Sequence, residues 1–496
     1  MKQTNNAIKF LMAQYRAIFK NAYFKGMATA LVLTAGLAAG QAQAADPVYE
    51  FDSGTDINKI TTPIATHPSG SGPKLQLQSA AAHNGTGTSV SDKTLSIGTD
   101  EMVSSTTGWA TAGILVNSGA GATAINLSAT NNTLDLNKGA SVERGAYGAY
   151  LYNEKGNVSA TGNRIEIKDI GNSETVTVNA TGTVYGLFGA RVKSTNGSAT
   201  ASGNYVDITA HYGASLTLNH GANGIVGALA EGTDTVSVTG NYVTITGTGT
   251  DVGTDPAHLL ALGSGGTNAH TLIGGFALNQ SSGSTAGDNT ASTLTAASNW
   301  VDAKNISIGG ASGAYIFGGR AMNTTDADGS SDIFARNNFV TLTNVAVSNS
   351  ASDPTSGTLQ VVGNMALANP NNAPSGTGKH NNVSAIGDGT TVNLKIDGGN
   401  ITNSSSDLTS GPLNPNSMLA GGYAETVSGG GNATANANVA QITNLRATNV
   451  NFYGGVAVDN SEANSGDQIV ASQNTLSLDN TSIVLSNIKL IALLVV

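Results

Sequence analysis

The chain repeats itself, and that restricts its fold more than any other feature. One unit recurs as GNRIEI (162–167), GNYVDI (203–208), GNYVTI (240–245), SNWVDA (298–303) and NNFVTL (337–342), with weaker copies NNVSAI (381–386) and QNTLSL (473–478). A second unit opens on glycine, as in GARV (189–192), GALA (227–230) and GGRA (318–321). Its leading glycines are Gly113, Gly148, Gly189, Gly227, Gly274, Gly318, Gly363, Gly421 and Gly454, spaced by 35, 41, 38, 47, 44, 45, 58 and 33 residues. Self-similarity at this period marks a solenoid, in which no unit buries its apolar face alone and stacked neighbours share one core.

Each unit reads as strand and turn. In GNYVDIT, alternation sends Asn204, Val206 and Ile208 to one side and Tyr205 and Asp207 to the other. The β-branched residues suit a pleated, half-buried surface. No stretch after residue 45 keeps a 3.6-residue period, so the expected fold is all-β: a parallel β-helix of about nine repeats. Three short strands per unit favour one coil per repeat, and nine coils at roughly 4.8 Å reach about 43 Å. Asn163, Asn204, Asn241, Asn299 and Asn338 are expected to stack as an asparagine ladder and to take left-handed bends themselves. The leading glycines serve sharp bends or close packing between layers.

The N-terminus reads as a leader. Residues 1–26 carry Lys2, Lys9, Arg16, Lys20 and Lys25 with no acid before Asp46. The apolar run Met27–Ala39 is shorter than the roughly 20 residues that span a bilayer. Ala42-Gln43-Ala44 matches the A-x-A cleavage pattern, placing the cut between Ala44 and Ala45. The remaining 452 residues carry 17 Lys and Arg against 32 acids, which argues against nucleic acid as a partner, since phosphates demand a basic footprint. There is no cysteine, so no disulfide or thiolate metal site staples the fold. Charged residues are only 11%, but the strong periodicity separates the chain from a disordered one.

The long basic leader resembles the extended signal peptides of large Gram-negative autotransporters. Followed by glycine- and asparagine-rich repeats, the chain resembles an autotransporter passenger of the adhesin type. The resemblance implies a parallel β-helix exported to the periplasm, cell surface or medium, and a non-enzymatic role in adhesion or cell–cell aggregation. Its partner would be a host or bacterial surface glycan or protein, or a second copy. Family members end in a translocator barrel of many alternating ten-residue strands. SNIKLIALLVV (486–496) instead follows directly on a repeat, so that barrel is expected to be absent from this chain. The chain divides into an extended signal peptide (1–44), an irregular or capping region (45–106), solenoid repeats (107–487) and an apolar tail (488–496). A fragment of a frameshifted autotransporter, without function of its own, is a further reading.

Enzyme motifs are weak. APSGTGKH (373–380) approaches the phosphate loop, but Ala373 and His380 replace the first glycine and the magnesium-binding hydroxyl. FDSGT (51–55) lacks the glycine of a serine-protease turn, and no triad pattern precedes it. DADGSSD (326–332), aligned as a calcium loop, puts Thr324 and Ala335 where the outer ligands belong. His211 and His220 lie nearest each other among scattered histidines, a poor metal pattern. No cofactor, metal or catalytic residue is therefore expected. Asp207 is matched by Thr244, Asp302 and Thr341 in later repeats, which predicts no carboxylate cluster there. Tyr205, Tyr242, Trp300 and Phe339, one per repeat, are predicted to form an outward aromatic column and a candidate ligand-binding face; the alternative is plain stacking between sheet neighbours. The runner-up function is a β-helical enzyme acting on polysaccharide.

Overall fold

A computed structural model describes the strands and tight turns between residues 76 and 484; residues 1–75, 485–496 and the longer intervening segments, such as 249–259, 280–292, 369–380 and 404–416, lie outside the described residues. The described strands belong to the compact unit Val48–Thr61 with His67–Val496. The leader, the Ala44–Ala45 cleavage site, FDSGT, APSGTGKH, His220 and the apolar tail all lie outside them, as does DADGSSD apart from Asp332.

Among the described residues every element is a strand, and every pairing is parallel. Three sheets run the length of the stack. The first has ten strands, from Gln76–Ala80 to Asn451–Asp459; the second has ten, from Thr88–Ser91 to Ile469–Ser472; the third has eighteen, because most coils cross it as two short strands. Each repeat is thus one coil of a parallel β-helix. Among the described residues ten coils are present where the glycine unit marks nine. The additional coil opens at Gln76–Ala80, inside the 45–106 stretch, and places Gln76 rather than glycine opposite Gly113. Gly113 itself faces Tyr147, outside the glycine column that starts at Gly148.

Like side chains stack on like across successive coils. The third sheet buries Ile165, Val206, Val243, Val301, Val340 and Leu394 in one register. The second buries Leu127, Val158, Ala199, Val236, Leu294 and Ile333. Burial alternates residue by residue, for example along Tyr205–His211, so the period-two pattern of the sequence is the inside–outside pattern of the wall.

The corner between the second and third sheets holds the ladder. Asn204 donates from Nδ2 to Asn241 Oδ1 at 3.0 Å and to Ala160 O at 3.0 Å, and its backbone N–H reaches the same Oδ1 at 2.9 Å. Asn163, Asn241 and Asn299 repeat this set, and all four are 0% exposed. The ladder extends beyond the five expected positions to Asn132, Asn364, Asn438 and Asn474. At the corner rungs the left-handed bend falls on the residue before the asparagine, not on the asparagine: Gly203 has φ 62°, Gly240 64°, Ser298 54° and Asn337 50°. Glycine and asparagine tolerate that conformation best.

Asn364 enters from a different strand. In its coil the corner is enlarged to GDGTTVN (387–393) and has no asparagine at the ladder position. Asn364 stands on the first sheet opposite Gly319 and reaches across the interior. It accepts from Asn338 Nδ2 at 2.9 Å and donates to Asn438 Oδ1 at 2.9 Å, keeping the ladder continuous. The enlarged corner closes on Asp388, which accepts from the Thr390 and Thr391 amides. Hydrogen bonds from Thr391 and Thr390 hold its carboxyl well below the usual range.

The glycine column serves close approach. A Cβ on Gly189 would lie 2.5 Å from Tyr205 N, Tyr205 O and Gly227 O. Gly148, Gly227, Gly274 and Gly318 likewise face the backbone of Arg164, Tyr242, Trp300 and Phe339. At this level the first sheet touches the third backbone to backbone, leaving no room for a side chain. Gly189→Ala is therefore expected to lower unfolding free energy by roughly 1–3 kcal/mol through overpacking. Gly203→Asn, with nothing within 4 Å of its Cβ position, is expected to change it by under about 1 kcal/mol. Urea unfolding midpoints of the two variants check the contrast.

Candidate binding face

The outward positions of the third sheet build the candidate site. One register carries Thr133, Arg164, Tyr205, Tyr242, Trp300 and Phe339 on six successive coils. The four aromatic residues singled out from the sequence thus fall in one outward line, and each is half-buried. Tyr205 and Tyr242 stack at 4.6 Å with 6° between planes, and Tyr242 and Trp300 at 4.4 Å with 5°. The ring faces are therefore turned largely to one another, and the column offers mainly ring edges and tyrosine hydroxyls outward. Arg164 caps it, with its guanidinium 5.9 Å from the Tyr205 ring centroid.

Two residues along each strand runs a second outward line: Asp135, Glu166, Asp207, Thr244, Asp302, Thr341 and Lys395. Three carboxylates on consecutive coils make a cluster, contrary to the expectation that none exists at this position. The repeats that follow Asp207 carry Thr244, Asp302 and Thr341, with no acid on the adjoining coil; the adjoining acids, Glu166 and Asp135, stand in the two repeats that precede it. Arg164 Nε lies 3.1 Å from Glu166 Oε1 and Lys168 Nζ 2.6 Å from Glu166 Oε2. Tyr205 Oη lies 3.5 Å from Glu166 Oε1.

Burial pushes the Glu166 carboxyl up, but Lys168 and Arg164 outweigh it and hold the group below the usual range. Asp135 and Asp207 are raised, by burial first and by Glu166 next in effect among the acids, with Lys168 opposing. Tyr242 is pushed up to about 12 by burial and by Tyr205 and Asp207. Around Glu166 the strip thus combines one firmly ionised acid, the two reluctant acids Asp135 and Asp207, and the bases Arg164 and Lys168, beside a run of rings. Among the described residues no group of three His, Cys, Asp or Glu side chains is placed to hold a metal ion.

The outward side of the first sheet is different in kind, and sequence reasoning missed it. Tyr147, Phe188, Val226, Ile273, Phe317 and Val362 share one register and form a buried apolar cluster separate from the interior core. Arg191 Nη2 pairs there with Glu231 Oε1 at 3.1 Å, both nearly fully buried. Arg320 lies over the Phe276 and Phe317 rings, 4.9 and 5.3 Å from their centroids, and burial brings it down to about 10. The available signal was IVGALA (225–230), apolar on both faces, as in a strand covered on both sides.

No protein-family model matches the chain, and no curated protein or solved structure matches it either.

The carboxylate line predicts a pH effect. A raised Asp207 pKa in the folded state means that ionisation costs stability above the ordinary value of 3.8, and the cost vanishes once the group is protonated in both states. Asp207→Asn is expected to stabilise the protein at pH 7 by under about 1 kcal/mol after solvent screening. The advantage should fade as pH drops below about 4. Urea titrations of both proteins at pH 7 and pH 3.5 read the difference.

Proposed function

We propose that this chain is an exported β-helical passenger, cleaved between Ala44 and Ala45, that mediates adhesion or cell–cell aggregation without catalysis. The line of Arg164, Tyr205, Tyr242, Trp300 and Phe339 in one outward register carries this reading. A repeating strip of ring edges, hydroxyls and charged groups along a rigid wall matches an extended, repetitive partner such as a surface glycan, or another copy of the same wall. Aromatic residues and arginine contribute disproportionately to contact energy at such surfaces. The basic leader and the repeat series, through their resemblance to adhesin-type passengers, supply the exported context.

A second reading is favoured by one observation: Asp135, Glu166 and Asp207 on consecutive coils beside the aromatic line. The strands that carry them are spaced by about 4.8 Å, which brings the carboxyls into the range of separations used for glycoside hydrolysis. This is the β-helical polysaccharide enzyme.

Trp300→Ala separates the possibilities. Loss of a half-buried stacked ring is expected to cost about 1–2 kcal/mol in stability, leaving the fold intact, and to weaken glycan binding or cell aggregation at least tenfold. Unchanged association with the folded variant contradicts the adhesive face. Depolymerisation of a polysaccharide by purified protein, lost in Glu166→Gln, would install the enzyme reading instead.

A further inference from the structure

The outward side of the first sheet carries arginine twice in one line, and only one of the two has a carboxylate. Arg191, Leu229, Phe276, Arg320 and Met365 stand in register on successive coils. Two residues further along each strand, a second line runs Lys193, Glu231, Leu278, Met322 and Leu367. Arg191 Nη2 reaches across one coil to Glu231 Oε1 and Oε2 at 3.1 and 3.2 Å, and Lys193 Nζ stands 3.8 Å from the same carboxylate. Arg320 repeats the position of Arg191 three coils on. The residue that stands to it as Glu231 stands to Arg191 is Leu367.

Among the described residues no acid faces Arg320. The acids of the second line, Glu231 and Glu425, stand two coils to either side, roughly 10 Å away by strand spacing, and are engaged with Arg191 and Tyr423. Arg320 Nη2 donates to Met322 Sδ at 3.2 Å, and a thioether is a weak acceptor. Nε has no hydrogen-bond partner in either arginine, so the two differ in the carboxylate at Nη2. Burial lowers the pKa of both. At Arg191 the Glu231 carboxylate, first among the opposing groups, outweighs it; at Arg320 only Tyr315 opposes, and burial prevails. A buried cation without a counter-ion is costly, and the Phe276 and Phe317 rings offset only part of that cost.

We propose that Arg320 receives a carboxylate from outside the chain, taking the part that Glu231 plays for Arg191, and that the ligand is a monocarboxylic acid on an apolar body. The guanidinium fork matches a carboxylate geometrically. One negative charge neutralises it, whereas a dianion would leave excess charge in an apolar setting. Phe276, Phe317, Met322, Met365 and Leu367 surround the position, so an aliphatic or aromatic body gains contact there and a sugar finds few hydrogen-bond partners. Arg320 also keeps a solvent-facing part, while Arg191 is only 8% exposed. The inference is independent of the adhesive reading, which concerns the outward face of the third sheet.

Equilibrium dialysis of the full chain with hexanoate and with benzoate tests it, with hexanol and inorganic phosphate as controls. At least one of the two carboxylates is expected to fill one saturable site, at least tenfold more tightly than either control. Two full-length variants are measured alongside. Arg320→Met removes the charge and keeps an apolar stem; Leu367→Glu supplies an acid from within the chain, at the position that Glu231 holds relative to Arg191. Each is expected to weaken carboxylate binding at least tenfold, with circular dichroism confirming that the strands are kept, and either folded variant decides the question. Absence of saturable binding by both carboxylates overturns the proposal and leaves the rings as the partners of Arg320. So does undiminished binding in folded Arg320→Met, or hexanol or phosphate binding as tightly as the carboxylates.

Discussion

A buried asparagine amide is tolerable only when all its polar groups are satisfied, and here that requirement sets the register of the molecule. The regular rungs Asn204, Asn241 and Asn299 accept twice at Oδ1 and donate twice from Nδ2, to the next rung and to a carbonyl of the preceding coil. A buried group left unpaired costs about 1–3 kcal/mol. A one-residue slip of a coil would orphan several such groups at once and turn Val206 and Ile208 outward. The ladder therefore does more than add stability. It excludes neighbouring registers, and every outward line on the third sheet inherits its alignment.

Continuity of the ladder explains the least regular coil. Where the corner expands to residues 387–393, Asn364 crosses from the opposite wall to take the vacant rung. It stands where neighbouring coils carry Gly319 and Gly422, whose Cβ positions would collide with Asn338 and Asn438. Glycine keeps space for a rung supplied by the corner; asparagine replaces the rung when the corner does not supply one. Asn393, also fully buried, closes the remaining gap by donating to Asn338 O and accepting from Val439 N–H.

The all-β parallel solenoid was legible because its two strongest signals, the asparagine corner and the glycine approach, are local and recur with constant chemistry. What escaped was contact between coils whose sequence markers differ. Asn364 was hidden because it occupies a first-sheet position while the ladder pattern was read at corners. The carboxylate line was hidden because Asp135 and Glu166 precede the repeats against which Asp207 was compared. The coil opening at Gln76 was hidden because it lacks the glycine. The outward line of Tyr205, Tyr242, Trp300 and Phe339 was readable from alternation alone, with stacking between neighbours as its stated alternative; that Tyr205, Tyr242 and Trp300 do stack, with rings near parallel, depends on packing between coils.

The central claim, that the buried amide ladder holds the coils in register, is tested most directly by Asn241→Asp. The substitution keeps shape and Oδ1 but replaces the donor with an oxygen facing Ala201 O and Asn299 Oδ1. Burial raises the pKa of such a carboxyl, so the folded state is penalised at neutral pH and relieved as the group protonates. Chemical unfolding is predicted to show a loss of roughly 3–5 kcal/mol at pH 7, shrinking by at least half at pH 4. A loss of under about 1 kcal/mol at both pH values, within the range of a surface substitution, would contradict the account.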